Sequence, residues 1–227
     1  MPLLNAHLTR VDAPPLLILR HGETVWNVEG RYQGHSDSPL TETGEAQVRA
    51  VVRTLADRYP DLPGRQLWCS PLPRAARSMA ILCEELGLQP QSAHYDERLK
   101  ERAYGHWEGL SRDEIFRSFP ADVAEHELDP WSSVAPGGES FAAVAERLRD
   151  WLSELDLQQP ALVMAHGGSG RVLTALCCGL TRAAVFALDN PQASAITLDG
   201  KSAAVIPADP AHLSAVGCAD AGRSVTL

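Results

Sequence analysis

The sequence lacks the features that mark several large classes of protein. Its 227 residues include 20 Lys and Arg against 29 Asp and Glu, so it has no excess of the cations that hold nucleic acids and anionic membranes. No apolar run approaches the roughly 20 residues that a membrane-spanning helix needs. The sequence therefore predicts neither a nucleic-acid partner nor a membrane partner, and it indicates no oligomeric state.

Cysteine pairs and a secretion signal are missing as well. The five cysteines are odd in number and form no C-x-x-C pair, a pattern that fits neither a disulfide framework nor a zinc knuckle. Residues 1–15 are broken by charged side chains where a signal peptide has a continuous apolar core, and we expect them to form a loose leader. These patterns predict reduced thiols and a cytoplasmic location. The cysteines are Cys69, Cys83, Cys177, Cys178 and Cys218.

What the sequence does contain is an alternation of strand and helix patterns. Short apolar or alternating runs predict strands, and apolar residues at helical spacing predict helices. The predicted strands are 16–19, 66–69, 91–95, 161–165 and a hairpin of 195–198 with 202–206; the predicted helices are 42–56, 72–86, 111–120, 141–155 and 169–180. The alternation predicts an α/β fold, with a mostly parallel central sheet and helices on both faces. We expect one domain over 16–206 and a peripheral tail over 207–227.

Cationic side chains follow three of the predicted strands. Arg20 and His21 follow the first strand, Ser70 to Arg74 follows the second, and His166 follows the fourth. In open α/β sheets ligands bind at the carboxyl ends of the strands, so we expect these side chains to meet. Histidines and arginines without an acidic majority make a poor metal cage and a good oxyanion cradle. The glycine-rich turns after each histidine add backbone N–H donors.

Motifs around these residues follow one another in a fixed order. They read RHGET followed by WN, DSPLTETGEAQ, CSPLPRAARSMA, DERLKERAYGHWEGLS, PGGES and ALVMAHGGSGRVL, and they extend from about 16 to 198. This series resembles the histidine phosphatase superfamily, the phosphoglycerate mutase-like proteins. The resemblance implies a three-layer sandwich fold and an enzyme that cleaves the phosphoester of a small phosphorylated substrate.

The resemblance also assigns a role to each matching residue. His21 would attack phosphorus and carry the phosphoryl group as a phosphohistidine, which splits one difficult displacement into two. Arg20, Arg74 and His166 would bind the phosphoryl oxygens and stabilise their charge, with Asn27 as a neutral donor. Glu101 would protonate the leaving oxygen and then take a proton from water. The catalytic set is His21, Glu101 and His166, and the phosphate-binding set is Arg20, Asn27, Arg74 and Gly167. Neither a metal nor another cofactor is required.

Two roles near these motifs have more than one candidate. Glu97 and Glu108 rival Glu101 as the general acid, and the register of the motif favours Glu101. Four aromatic side chains are equally suited to line a substrate cleft or to pack the core: Trp26, Tyr104, Trp107 and Trp131.

The resembling family contains phosphatases, which give the phosphoryl group to water, and mutases, which return it to the substrate. The cofactor-dependent mutases have a longer, more basic segment after the acid. Here the segment 102–136 is short. Apart from Arg102, its only Lys or Arg residues are Arg112 and Arg117. A phosphatase is therefore favoured, with mutase-type phosphoryl transfer as the alternative.

Three other classes of protein are weaker alternatives. A serine hydrolase needs a G-x-S-x-G elbow, but Arg171 stands where the last glycine belongs. A metal hydrolase that uses His21, His166 and a carboxylate is opposed by the flanking arginines. A non-catalytic phosphate-binding module on the same fold would be expected to lose His21 or the acid, and both are present.

Overall fold

A computed structural model describes residues 3–200 and 202–215. The strands are β1 (Leu16–Arg20), β2 (Gln66–Cys69), β3 (His94–Tyr95), β4 (Ala161–Ala165), β5 (Ser194–Asp199) and β6 (Ser202–Pro207). The α-helices are α1 (Val25–Val28), α2 (Glu42–Arg58), α3 (Pro73–Leu86), α4 (Arg112–Ser118), α5 (Pro120–Leu128), α6 (Phe141–Ser153), α7 (Gly167–Cys178), α8 (Arg182–Ala187) and α9 (Pro210–Ala215). None of the helices in this described part of the chain is long and apolar enough to cross a membrane.

The strands form one six-stranded sheet in the order β3-β2-β4-β1-β5-β6. Strands β3, β2, β4 and β1 are mutually parallel, β5 runs antiparallel to β1, and β6 runs antiparallel to β5. The prediction of a mostly parallel sheet is confirmed. In the register, Arg20 lies opposite Ala165 and Cys69 lies opposite Met164. The residues that follow β1, β2 and β4 therefore leave the sheet side by side at one edge.

Helices cover both faces of the sheet, as predicted. Because successive side chains of a strand point to opposite faces, β1 divides its leucines and isoleucine between two cores. Leu16 and Ile18 pack in the core that contains α6 and α7, and Leu17 and Leu19 pack in the core with α2 and α3. A strand buried on both faces explains the unbroken apolar run in the sequence.

The predicted helix boundaries depend on side-chain caps that the structure contains. The hydroxyl of Thr41 accepts a hydrogen bond from the Gly44 N–H at the start of α2. Ser111 and Glu114 form a capping box that opens α4. Gly87, with φ 66°, ends α3 in the left-handed conformation that glycine adopts at little cost.

Some predicted boundaries are wrong. The third strand is only His94–Tyr95, because Pro90–Ser92 forms a 3-10 turn in which proline contributes no N–H to a sheet. Helix α7 begins at Gly167 rather than Ser169, directly after β4, because the Gly170 N–H already donates to the carbonyl of His166. The short helices α1, α5, α8 and α9 have no strong apolar period and were not expected.

The segments at both ends are more closely packed than a loose leader and a peripheral tail. Leu8 is 7% exposed and belongs to the core beside α7, and its N–H donates to the carbonyl of Leu180. Helix α9 packs against α2, and the Asp209 N–H donates to the hydroxyl of Thr54. Hydrogen bonds to the domain therefore anchor the described parts of both segments.

The cysteines of the described residues lie mostly in the cores. Cys69, Cys83 and Cys177 are buried, Cys178 is partly buried, and none of the four is in a disulfide. Burial raises the pKa of the Cys177 thiol to about 12, which keeps it protonated. Cys218 lies outside the described residues.

A close backbone contact fixes the start of α2 beside the end of β1. A Cβ atom on Gly22 would stand 2.2 Å from the carbonyl oxygen of Gly44, and one on Gly44 would stand 2.0 Å from that of Glu23, so both positions need glycine. The Gly22 N–H donates to the hydroxyl of Ser78 on α3. Contacts from two helices therefore hold the turn that carries His21.

Candidate active site

His21 is buried and is held in one tautomer by the backbone. Its ring is 3% exposed, and Nδ1 lies 2.8 Å from the carbonyl oxygen of Gly22. Because a carbonyl only accepts, Nδ1 carries the proton and Nε2 keeps its lone pair. Burial, together with the positive charges of Arg74 and Arg20, holds the pKa of His21 well below its usual value. The ring is therefore neutral at neutral pH, with a free nucleophilic nitrogen.

His166 stands beside His21 at the same sheet edge. It has no exposed surface, and the centroids of the two rings are 5.2 Å apart. Nε2 of His166 lies 2.7 Å from Oγ of Ser70, while Nδ1 is buried and has no partner in the described chain. Burial lowers the pKa of His166 well below its usual value, and the charge of Arg74 adds to this effect.

Arg74 reaches this edge from the first turn of α3. It is 2% exposed, and its two terminal nitrogens donate to the carbonyls of Ser36 and Gly34 at 2.9 and 2.7 Å. Burial lowers its pKa, and its Nε is buried without a partner among the described residues. A guanidinium has five N–H donors, so Arg74 can donate to both carbonyls and still has N–H groups left for an anion.

Arg20, the last residue of β1, is held in the same way. One terminal nitrogen donates to the carbonyl of Asn190 at 3.0 Å, and Nε is buried without a partner in the described chain. Burial lowers the pKa of Arg20 to about 10, although the negative charge of Glu101 partly opposes this shift. Within residues 3–200 and 202–215, neither Arg20 nor Arg74 forms a salt bridge.

Glu101 lies against the N-terminus of α7. One carboxylate oxygen accepts from the N–H groups of Arg102 and Ser169, at 2.8 and 2.9 Å, and the other accepts from Gly168 at 2.8 Å. A Cβ atom on Gly168 would stand 2.5 Å from Glu101, so this glycine lets the carboxylate approach the helix. The structure thus brings the predicted acid to the pocket as a group that accepts at both oxygens.

The two remaining predicted phosphate ligands also lie at this edge. Oδ1 of Asn27 accepts from the Thr24 N–H at 3.1 Å and from the Gln192 amide at 2.9 Å, which orients the Asn27 side chain. Its own NH₂ group has no acceptor among the described residues, which suits a neutral donor. Gly167 opens α7, and a Cβ atom there would be 3.4 Å from the guanidinium carbon of Arg20.

Comparison with known proteins identifies the family of this chain. The model of the histidine phosphatase superfamily (branch 1) matches residues 16–206. The chain belongs to the histidine phosphatase superfamily. It is 32% identical over 179 residues to a 2,3-bisphosphoglycerate-dependent phosphoglycerate mutase of a Methylobacterium species, covering 77% of this chain and 85% of that protein. Relatives of this chain thus include mutases.

Phosphatases are also among its relatives. A glucosyl-3-phosphoglycerate phosphatase of Mycolicibacterium vanbaalenii is 36% identical and covers 73% of this chain and 74% of its own length. The solved structure of the α-ribazole phosphatase of Shigella flexneri superposes with a TM-score of 0.72 at 28% identity and covers 86% of this chain and 95% of that one. This structural neighbour confirms the predicted fold.

The two rivals of Glu101 as acid have other surroundings. The Glu97 side chain is 75% exposed and pairs with Lys100. Glu108 accepts hydrogen bonds from the N–H groups of His35, Ser36 and Tyr104 and from the Ser36 hydroxyl. Glu108 therefore fastens residues 33–36, which carry the two carbonyls that hold Arg74.

The four aromatic side chains divide into two pairs. Trp107 and Trp131 are 2% and 3% exposed and pack in the hydrophobic cores. Trp26 and Tyr104 are partly exposed, and the Tyr104 hydroxyl is close enough to Arg20 to influence its pKa. Of the four, Tyr104 therefore has the clearest position at the pocket.

Three residues at the site were given no site role by the sequence. Asn190 follows α8. Its side-chain amide donates to the backbone carbonyl of His166, and its backbone carbonyl accepts a hydrogen bond from Arg20. Ser70 forms a hydrogen bond with His166. It lies in the segment 70–74, in which the sequence assigns a role only to Arg74. Arg171 lies one turn into α7, donates to the carbonyl of Gly167 at 3.2 Å and lowers the pKa of Arg20.

The described residues offer no metal cage. Across 3–200 and 202–215, no three His, Cys, Asp or Glu side chains stand close enough together to hold a metal ion.

The Glu108 carboxylate gives stability a defined pH dependence. Burial alone would raise its pKa, but the hydrogen bonds from Ser36, His35 and Tyr104 outweigh burial and lower it. A carboxyl whose pKa is lower in the folded state stabilises the fold above its unfolded-state pKa. That contribution is lost as the pH falls through the folded-state pKa.

The substitution Glu108→Gln should therefore lower the free energy of unfolding by about 1–3 kcal/mol at neutral pH, because charged hydrogen bonds are lost. Below the folded-state pKa the difference in unfolding free energy between wild type and Glu108→Gln should shrink, because the wild-type carboxyl is then protonated and as uncharged as the glutamine amide. Urea unfolding at both pH values measures this, with Glu97→Gln as an exposed control that should change little. A deficit of equal size at both pH values would contradict the assignment.

Proposed function

We propose that this protein hydrolyses small phosphomonoesters through a phosphohistidine formed on His21, without a metal ion. One observation carries the proposal: a buried, neutral imidazole with a free Nε2 lies beside the guanidiniums of Arg20 and Arg74, each of which keeps a buried, unpartnered Nε within the described residues. Such a pocket attracts a phosphoryl group and places a nucleophile against it. A cytoplasmic location stays a prediction.

The reaction has two displacements. In the first, the lone pair of His21 Nε2 attacks phosphorus, the bond to the ester oxygen breaks, and Glu101, in its protonated form, gives that oxygen its proton. In the second, water attacks phosphorus, Glu101 takes a proton from the water, and the phosphorus–nitrogen bond breaks. Arg20, Arg74 and His166 stabilise the charge of the phosphoryl oxygens in both steps. Because the guanidiniums supply this positive charge, no metal ion is needed.

The cover of the pocket supports hydrolysis over mutase-type transfer. Arg112 and Arg117, its further cations, are exposed on α4. Arg102 is fully buried, but two of its nitrogens donate to the carbonyls of Glu139 and Ser133. These cations are therefore poorly placed to grip the second phosphate of a bisphosphorylated cofactor, and water is the acceptor that fits.

The charge at the pocket also supports a substrate class. Arg171 is partly exposed, and its positive charge lowers the pKa of Arg20. It forms no salt bridge within the described residues. Among the relatives, phosphoserine phosphatase 1 of Hydrogenobacter thermophilus, 28% identical over 81% of this chain, is named for a substrate with a carboxylate near its phosphate. We extend the proposal to phosphoesters with a nearby carboxylate, which Arg171 would bind.

The nucleophile is tested by His21→Ala. The variant should lose turnover and should leave no acid-labile phosphoenzyme after rapid quench, because no other side chain at the pocket offers the same lone pair. His212→Ala, a surface histidine, should keep both. Activity should also survive a chelator. Near-normal turnover by His21→Ala on every substrate of the native protein would contradict the mechanism.

The acid is tested by Glu101→Gln with two kinds of leaving group. An alkyl phosphate should slow by roughly 10²–10⁴-fold, the usual contribution of a general acid. An activated aryl phosphate should slow much less, because its leaving group needs little protonation. Misfolding would slow both equally, so an equal loss on the two substrates would remove Glu101 from the acid role.

The substrate class is tested by Arg171→Gln with matched substrates. For O-phosphoserine, kcat/KM should fall roughly 10- to 100-fold, the value of a hydrogen bond to a charged group. For O-phosphoethanolamine, which lacks the carboxylate, it should hardly change. Arg117→Gln, an exposed arginine on α4, serves as the control. Equal losses on both substrates, or none, would contradict a carboxylate contact at Arg171.

A further inference from the structure

One buried hydrogen bond at the sheet edge has no part in the chemistry described so far. It joins Nε2 of His166 to Oγ of Ser70, at 2.7 Å. Ser70 directly follows β2, His166 directly follows β4, and these two strands are neighbours in the sheet. Both residues have no exposed surface. The register of the sheet therefore sets the contact between them.

The hydrogen of the Ser70 hydroxyl decides which atom is the donor. Oγ accepts the Leu72 N–H at 3.3 Å, and a hydroxyl has one hydrogen of its own to give. Among the described residues, the acceptor within hydrogen-bond distance is Nε2 of His166. A buried hydroxyl hydrogen without an acceptor is costly. Ser70 therefore donates and Nε2 accepts, which places the ring proton of a neutral His166 on Nδ1.

Nδ1 is the atom of His166 that lacks a partner. It is buried and makes no hydrogen bond within the described chain. The unused donors of Arg20 and Arg74 are buried in the same region, so the acceptor that suits all of them is an anionic oxygen.

We propose that Ser70 is a positioning residue that holds His166 as the Nδ1–H tautomer, so that Nδ1 donates to a phosphoryl oxygen. This role rests on the proposed function, in which His166 binds the phosphoryl group. It makes the two histidines complementary. The backbone at Gly22 leaves His21 a lone pair on Nε2, while Ser70 gives His166 an N–H to direct at the same group.

The tautomer matters because His166 is neutral in the free protein. Burial and the neighbouring charge of Arg74 keep its pKa well below the usual value. A neutral imidazole has one donor and one acceptor, and free imidazole side chains favour the Nε2–H form. Without the Ser70 hydroxyl, the Nδ1 lone pair would face the phosphoryl oxygens and repel them.

The chain supplies a matched control for this contact. Nδ1 of His126, on α5, lies 2.7 Å from the hydroxyl of Ser133, which follows that helix, and the two form a second serine–histidine pair. Ser133 is 6% exposed and its bond to His126 is partly buried, so Ser133→Ala removes a serine–histidine bond of the same length. It does so without touching the residues of the phosphate pocket.

The experiment compares wild type, Ser70→Ala, Ser70→Cys and Ser133→Ala. Nitrogen-15 NMR of the ligand-free proteins reports the His166 tautomer, with its signals identified by their loss in His166→Gln. Binding of inorganic phosphate and kcat/KM for one phosphomonoester are measured on the same proteins. Circular dichroism confirms that each is folded.

We expect the Nδ1–H form of His166 in wild type and a shift toward the Nε2–H form in Ser70→Ala. Phosphate affinity and kcat/KM should each fall roughly 10- to 100-fold, the value of a hydrogen bond to a charged group. Because a thiol is a weaker donor, the phosphate affinity and kcat/KM of Ser70→Cys should lie between those of wild type and Ser70→Ala. The His166 tautomer of Ser133→Ala should be the same as in wild type.

An Nε2–H form of His166 in wild type, or an unchanged tautomer in Ser70→Ala, would overturn the assignment. Because the tautomer is read without substrate, the proposed function is tested separately. A wild-type protein that shows the Nδ1–H form and binds phosphate but hydrolyses no phosphoester would support the role of Ser70 and overturn the proposed hydrolysis.

Discussion

Positive charge buried without an equal negative charge is the constraint on which the site depends. Removing a guanidinium from water costs several kcal/mol unless partners replace the water. Arg20 and Arg74 receive backbone carbonyls as partners and form no salt bridge within the described residues. Glu101 is the carboxylate that opposes both charges, and backbone N–H groups already occupy its two oxygens. A phosphoryl group supplies the missing negative charge.

The rest of the architecture keeps these groups in place while they lack their anion. The parallel register of β1, β2 and β4 brings His21, Ser70 and His166 to one edge, so the sheet determines their spacing. Outside the sheet, Glu108 fastens the turn whose carbonyls hold Arg74, and Asn190 ties the backbone of His166 to Arg20. The contacts that stabilise this part of the fold therefore also hold the side chains that would bind the anion.

The parts that follow from short-range chemistry could be predicted from the sequence. The two-faced apolar runs of β1 and β4 and the hairpin of β5 and β6 follow from local residue chemistry, and the order of strands and helices gives the fold class. What could not be predicted depends on contacts between distant segments. Asn190 shows no pattern of its own, and the packing of Leu8 against α7 is visible only in three dimensions. The orientation of Glu101, which accepts at both oxygens, likewise depends on where α7 begins.

The measurement that tests this account most directly is a crystal structure with vanadate, which adopts the five-coordinate shape of a phosphoryl group in transfer. The account predicts vanadium bonded to Nε2 of His21, with equatorial oxygens within hydrogen-bond distance of Arg20, Arg74 and Nδ1 of His166. The axial position opposite His21 should face Glu101. Vanadate bonded to another side chain, or Arg74 turned away from it, would contradict the account.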